Sequence, residues 1–226
     1  MFSKHRLAEV AALLGDAGRA GMLLALWDGS ARPAGELASI AGVTPATASA
    51  HLARLVAGGL LRVEVRGRHR YHRLAGPEVA QALESLAAVL APHPASAAAE
   101  APPLRRARLC YDHLAGQLGV GIGDALLAGG RLRLRDGAFS LPPAGRRWFE
   151  RFGIELGALE GGRRPLLRSC LDWTERREHL GGALGAALAT HLLERDWLRR
   201  ERGARTLLVT AAGRRGFLRA FGLRLE

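Results

Sequence analysis

The chain has 226 residues, and its 33 Lys and Arg against 21 Asp and Glu leave a formal charge of +12 at pH 7. A 48% hydrophobic share with 24% charged residues excludes a disordered polyelectrolyte, and 29 Gly with 10 Pro are too few for a collagen-like or low-complexity chain. No apolar run approaches the ~20 residues that span a bilayer, and Leu7–Leu14 is broken by Glu9 without a cleavage site, so the expectation is a cytoplasmic protein with no membrane partner.

Cys110 and Cys170 form no CxxC spacing, which argues against a disulfide scaffold or a zinc knuckle. Lys4 is the only lysine, so the basic character is carried by arginine. Its placement says more about partners than its sum. Arg62, Arg66, Arg68, Arg70 and Arg73 crowd one short stretch against the single Glu64.

In chain order, Leu7, Val10, Leu13 and Leu14 predict a first helix, and Met22, Leu23, Leu26 and Trp27, before Asp28 and Gly29, a second. A third is predicted from about Pro33 to Gly42, with Leu37, Ala38 and Ile40 apolar. Thr44 then makes a good N-cap, Pro45 suits the first turn, and Ala48, Leu52, Leu55 and Val56 form one apolar stripe over 46–56. The opposite face is expected to carry Thr47, Ser49, His51 and Arg54. Two helices joined by a short Gly-containing turn are the helix-turn-helix pattern, whose second helix enters the major groove.

After Gly58 and Gly59, Leu61, Val63 and Val65 alternate with Arg62, Glu64 and Arg66 up to Gly67, and Tyr71 and Leu74 resume on a returning strand. Such a hairpin is a wing, and Arg66, Arg68, His69 and Arg70 give it a basic tip suited to phosphates or the minor groove. His51, His69 and His72 are read as nucleic-acid contacts or solvated residues rather than metal ligands. Pro77 to Leu90 predicts a further amphipathic helix through Val79, Ala80, Leu83, Leu86 and Leu90. The DNA-binding candidates are therefore Thr44, Thr47, Ser49, His51, Arg54, Arg66, Arg68, His69 and Arg70.

The stretch GELASIAGVTPATASAHLARLVAGGLLRVEVRGRHRYHRL, residues 35–74, resembles the arsenical-repressor (ArsR/SmtB) family of winged-helix repressors, and the likeness covers about residues 5–91. The resemblance implies a homodimer whose first and last helices pair, holding double-stranded operator DNA until an inducer loosens it. It also implies a metal site of cysteines on the third helix, or of His and acidic residues on the last. Residues 35–42 contain no cysteine, and 77–90 offer Glu78 and Glu84 but no His.

Residues 92–103 are rich in Pro and Ala and predict a linker between a 1–91 DNA-binding and dimerisation domain and a 104–226 regulatory domain. That second part repeats itself: His113-Leu114-Ala115-Gly116 answers His179-Leu180-Gly181-Gly182, Cys110-Tyr111-Asp112 answers Cys170-Leu171-Asp172, and Ala144-Gly145-Arg146-Arg147 answers Ala212-Gly213-Arg214-Arg215. The repeats are drawn at about 104–160 and 161–226. Each holds a hairpin, one turning at Asp136-Gly137 and one at Arg202-Gly203, followed by a helix starting at Pro142-Pro143 or Thr210. The expected fold is mainly α with small β-hairpins: an N-terminal winged helix-turn-helix plus a C-terminal α+β domain of two degenerate winged-helix-like repeats.

Cys110 falls on a stripe with Ala107, Leu114 and Leu118, which predicts a helix with His113 one turn on. Two readings stay open for Cys110 and Cys170: buried inert thiols, or a sensor with His113 and Asp172 for a small inducer, an oxidant, or a soft metal or metalloid ion. An architectural DNA-binding protein without an inducer is the alternative to a repressor. A thiol-dependent enzyme is disfavoured, because neither cysteine stands in a catalytic signature.

Overall fold

The computed structural model describes residues 3–90, 103–201 and 204–225. It divides into two compact units, Met1–Ala82 and Leu83–Glu226. The linker expected at 92–103 lies outside the described residues up to 102, as does the expected Arg202-Gly203 turn.

In the first unit, α1 (Lys4–Leu14) starts at Ser3, whose hydroxyl accepts the Arg6 N–H, and α2 (Ala17–Ala25) starts at Asp16, whose carboxylate accepts the Arg19 N–H. The nearly buried Arg19 guanidinium donates to the carbonyls of Leu13 and Ala12, two of the acceptors that the end of α1 leaves open. A two-residue strand β1 (Arg32–Pro33) precedes α3 (Ala34–Ala41). Gly42 then adopts φ 65, a left-handed turn that lets α4 (Pro45–Ala57) leave at once. Thr44 caps α4 by accepting the Thr47 N–H.

Strands β2 (Leu61–Arg66) and β3 (His69–Leu74) pair antiparallel with Arg66 opposite His69, and β1 joins the far edge of β3. No sequence signal marked β1, since two residues carry no period. Met22, Leu23, Leu26, Leu37, Ala48, Leu52, Leu55, Leu61 and Leu74 are buried and form the core beneath the helix-turn-helix and wing. By contrast α1 buries none of its residues. α5 (Pro77–Leu90) is one continuous helix whose residues from Leu83 onward belong to the second unit.

The second unit opens with α6 (Pro103–Arg106) and the hairpin β4 (Arg108–Cys110) and β5 (His113–Ala115), then α7 (Gly116–Ala128). The hairpin β6 (Arg133–Arg135) and β7 (Ala138–Ser140), α8 (Pro143–Phe152) and α9 (Leu156–Glu160) complete the first repeat. The second follows the same order: β8 (Arg168–Leu171), β9 (Glu178–Gly181), α10 (Gly182–Glu194), β10 (Leu198–Arg200), β11 (Leu207–Val209) and α11 (Ala211–Phe221). Each repeat is thus hairpin, helix, hairpin, helix.

This corrects the helix expected at Cys110. Ala107 through Tyr111 are all buried, so no face is exposed, and the apparent helical stripe mixes strand residues with the start of α7. The shift between the cysteine and histidine offsets also has a structural place. Six residues, Asp172 to Arg177, join β8 to β9 where only Tyr111 and Asp112 join β4 to β5.

Gly116 and Gly182, at matching positions, take φ 74 and φ 82, and a Cβ would lie 2.5 Å from the Arg105 carbonyl oxygen or 2.7 Å from that of Leu166. The repeats interlock: β5 lies against β9, α7 packs on β9 and α10 on β5. Leu118, Ile122, Phe149, Leu184, Leu188 and Phe217 fill the shared core. Among the described residues, no helix is long and apolar enough to cross a membrane.

Candidate nucleic-acid interface and candidate metal centre

Thr44, the cap of α4, and Thr47, Ser49 and Arg54 within the helix are exposed. The Thr44 and Thr47 hydroxyls lie 2.9 Å apart, so the cap partly occupies both. His51 departs from the outward position expected of it. Its side chain is 14% exposed, with Nδ1 3.3 Å from Arg19 Nη1 and Nε2 3.6 Å from Asp16 Oδ1. The helical period explains this, because position 51 lies three after the buried Ala48 and four before the buried Leu55. Ala46, Ala50 and Ala53 are exposed between the polar residues, and such methyl groups suit thymine methyls. Sequence reasoning passed over them because alanine carries no polar signal.

The wing turns at Gly67 and Arg68, with Gly67 at φ 61, and Arg66, Arg68, His69 and Arg70 are all exposed. Glu64 receives Arg62, Arg66 and Arg73 at 3.2, 3.2 and 2.9 Å, which holds its carboxyl below the ordinary range, the Arg73 hydrogen bond first among the causes. Among the described residues, Arg68 and Arg70 form no ion pair, which leaves their charge for an external anion. His72 is buried in β3 opposite Arg32, and burial lowers its pKa.

The second candidate site is in the second unit. Cys110 and His113 face each other across the β4–β5 ladder, and Cys170 and His179 across β8–β9. The four side chains are buried, and one ligand atom from each, Sγ of the cysteines and a ring nitrogen of the histidines, lies within 4.8 Å of the other three. The two sulfurs are 3.8 Å apart, and the imidazoles stack with centroids 5.0 Å apart at 26°. Gly181 and Gly185 make room for His113, since a Cβ on either would come within 3.3 Å of it.

Behind each imidazole stands an aspartate. His113 Nδ1 is 3.2 Å from Asp112 Oδ1, and Asp112 is itself gripped by the Arg164 guanidinium. His179 Nδ1 is 3.9 Å from Asp172 Oδ2. Neither His113 Nε2 nor either ring nitrogen of His179 has a hydrogen-bond partner among the described residues. Buried polar atoms are normally satisfied, so these three are the open valences of the site.

Burial opposes charge on Asp112, yet the hydrogen bonds from His113 and Arg164 outweigh it and bring its carboxyl down to about 2. For His113 burial is likewise outweighed, by the Asp112 hydrogen bond, and its pKa rises. The shared Cys110–Cys170 hydrogen bond pushes the Cys110 thiol up, with burial adding to it, and holds Cys170 below the ordinary thiol range, with His113 and His179 adding to that. The two sulfurs titrate as a coupled pair rather than as independent thiols.

Cys110, His113 and Cys170, singled out from the sequence, therefore meet. Asp172 does not join the four atoms; its Oδ2 accepts from Arg108 at 3.0 Å and the Gly116 N–H at 2.6 Å, and its Oδ1 from Thr174 and Glu175. His179 holds the position instead. The repeat already aligned it with His113, and that alignment was the available signal. Also missed were Arg108 and Glu84, a fully buried pair at 3.1 Å in which Glu84 comes from α5.

A family model described as "Helix-turn-helix domain" matches residues 14–64. The chain is 39% identical over 214 residues to the Bacillus subtilis (strain 168) protein described as "Uncharacterized HTH-type transcriptional regulator YdfF", which covers 93% of this chain and 95% of that one. Two solved structures are also similar. One is the homodimeric winged helix-turn-helix DNA-binding domain of Mb0332 from Mycobacterium bovis (30% identity, 38% of this chain and 79% of that one, TM-score 0.35). The other is the cadmium metal-sensor CMTR from Mycobacterium tuberculosis (33% identity, 42% and 97%, TM-score 0.32). With a relative this similar along nearly its whole length, and with the winged helix-turn-helix assembled by its first unit, the chain belongs to the HTH-type transcriptional regulators.

Proposed function

We propose that the protein is a homodimeric repressor that holds double-stranded operator DNA through α4 and the wing and releases it when an effector acts on its C-terminal unit. The observation that carries this reading is the pairing of an exposed α4 face with a wing tip whose Arg68 and Arg70 are exposed and form no ion pair among the described residues. Residues 1–91 are the DNA-binding and dimerisation part in this reading, and 104–226 the regulatory part. Dimerisation is supported by α1, whose Leu7 is 53% exposed and which buries none of its residues. Thr47, Ser49 and Arg54 act as base readers, with Arg66, Arg68, His69 and Arg70 as phosphate clamps.

The effector acts at the cysteines, as a soft ion or a thiol-directed reagent, because they are the soft ligands of the C-terminal unit. The test is selection of DNA fragments by the purified protein, followed by binding assays with and without candidate inducers. The expected result is an inverted-repeat site, bound by a dimer and released by a thiol-seeking inducer. Equal affinity for every fragment, or a monomer on the best site, refutes it.

A further inference from the structure

We propose that Cys110 Sγ, His113 Nε2, Cys170 Sγ and His179 Nε2 bind one tetrahedral divalent ion of the zinc class, which clamps the first hairpin of each C-terminal repeat to the other. The site lies outside α3 and α5, where the family resemblance would put a metal. Two sulfurs each ~2.3 Å from a tetrahedral zinc stand about 3.8 Å apart. The sulfurs of Cys110 and Cys170 are 3.8 Å apart. A disulfide needs about 2.05 Å, so the strands would have to close further to form one.

The donor set selects the ion. Two sulfurs and two imidazole nitrogens, with no oxygen among them, disfavour magnesium and calcium. Two thiolates balance a 2+ ion, so the filled site is neutral in a buried place where an uncompensated charge is costly. Whatever protons the two sulfurs and the ligating imidazole nitrogens carry leave to solvent as the ion enters. Asp112 already holds His113 Nδ1, which turns the unpartnered Nε2 toward the sulfurs, and the Asp172 carboxylate lies 3.9 Å from His179 Nδ1, near but beyond hydrogen-bond distance. Each repeat thus supplies one Cys, one His and one carboxylate behind the His.

The geometry of the centre stands on these residues alone; that its ion is the effector rests on the proposed function. The experiment uses the full chain, reduced and stripped with a chelator, then titrated with Co2+ and competed with Zn2+. Expected are about one Co2+ per chain, the intense visible bands of a tetrahedral cobalt thiolate, and their loss to zinc. Zinc should raise the melting temperature and protect both thiols from iodoacetamide. Asp112→Asn should weaken affinity about 10–100-fold, and a Cys110→Ser, Cys170→Ser variant should abolish the spectrum.

Should the double variant not fold, the spectrum and thiol protection of the parent protein still decide. Substoichiometric binding, an octahedral spectrum, or thiols equally reactive with and without zinc overturn the centre, as does a Cys110–Cys170 disulfide forming equally well in zinc-supplied protein. Operator affinity measured on the same samples separates the two readings. Ion binding without a change in operator affinity keeps the centre and removes the effector role, whereas release by another inducer without ion binding removes the centre and keeps the regulator.

Discussion

Arg108 is the residue on which charge in the second unit converges. It is fully buried, donates to Glu84 at 3.1 Å, to Asp172 at 3.0 Å and to Thr174 at 3.1 Å, and lies over the Trp173 ring at 5.1 Å. Its two carboxylates differ. Burial opposes the charge on Asp172, but Arg108 and the turn donors outweigh it and hold the group well below the usual range, whereas burial prevails at Glu84 and pushes it up. Removing one partner of a buried pair leaves an uncompensated charge, so Arg108→Met should cost about 3–5 kcal/mol, read from the midpoint of denaturant unfolding. At the DNA face, Arg68→Ala should weaken binding to many sequences alike and reduce the salt slope by roughly 0.9 for each phosphate it no longer neutralises. Arg54→Ala should instead relax base preference by about 1–3 kcal/mol at one position. Binding assays over a salt series and a set of single-base operator variants separate the two; the reverse pattern would exchange their roles. His72 sets a pH dependence. Burial lowers its pKa below the ordinary 6.5, so the folded form keeps it neutral. As pH falls below 6.5 the unfolded chain takes the proton first, and stability is lost progressively down through the lowered folded value. Thermal melts of the parent and of His72→Gln between neutral and mildly acid pH should show a shallower acid slope in the variant.

At the scale of elements, local signals located most of the first unit. Asp16, Thr44 and Gly42 cap or stop helices through their own backbone geometry, so the ends of α2, α3 and α4 are readable without knowing what they pack against. The hairpin β2–β3 is equally local, since its alternating pattern flanks a two-residue turn. The hairpin β4–β5 resisted such reading because it is buried on both faces. Close helix approach in the repeats depends on small residues. A Cβ on Gly213 of α11 would lie 2.1 Å from the Trp197 carbonyl oxygen, and its counterpart Gly145 of α8 meets Arg131 at 1.9 Å. Gly213→Ala should therefore displace the helix start and destabilise the unit by about 1–3 kcal/mol, measurable by chemical unfolding; a neutral result would mean that α11 can shift freely. Thr44→Ala should cost about 0.5–2 kcal/mol through the lost cap, and should lower operator affinity as well, because α4 begins there.

At the scale of the whole molecule, the chain carries a basic winged helix-turn-helix in its first unit and a tandem repeat in its second, and within the second Glu84 pairs with the buried Arg108. A two-fold dimer on DNA implies half-sites roughly 34–36 Å apart or a multiple of that. Footprinting on the selected operator should show this spacing, and asymmetric protection of one half-site would contradict it. The sequence by itself determined the helix-turn-helix, the basic wing, the family resemblance and the existence of the tandem repeat, because each is written in neighbouring residues or in a fixed offset. Only the tertiary structure decided that His51 turns inward, that Asp172 serves Arg108, and that His179 completes a quartet with Cys110, His113 and Cys170. The reason is physical: those four ligands sit on two hairpins far apart in sequence, and their donor atoms converge only when the repeats interlock and bury them together.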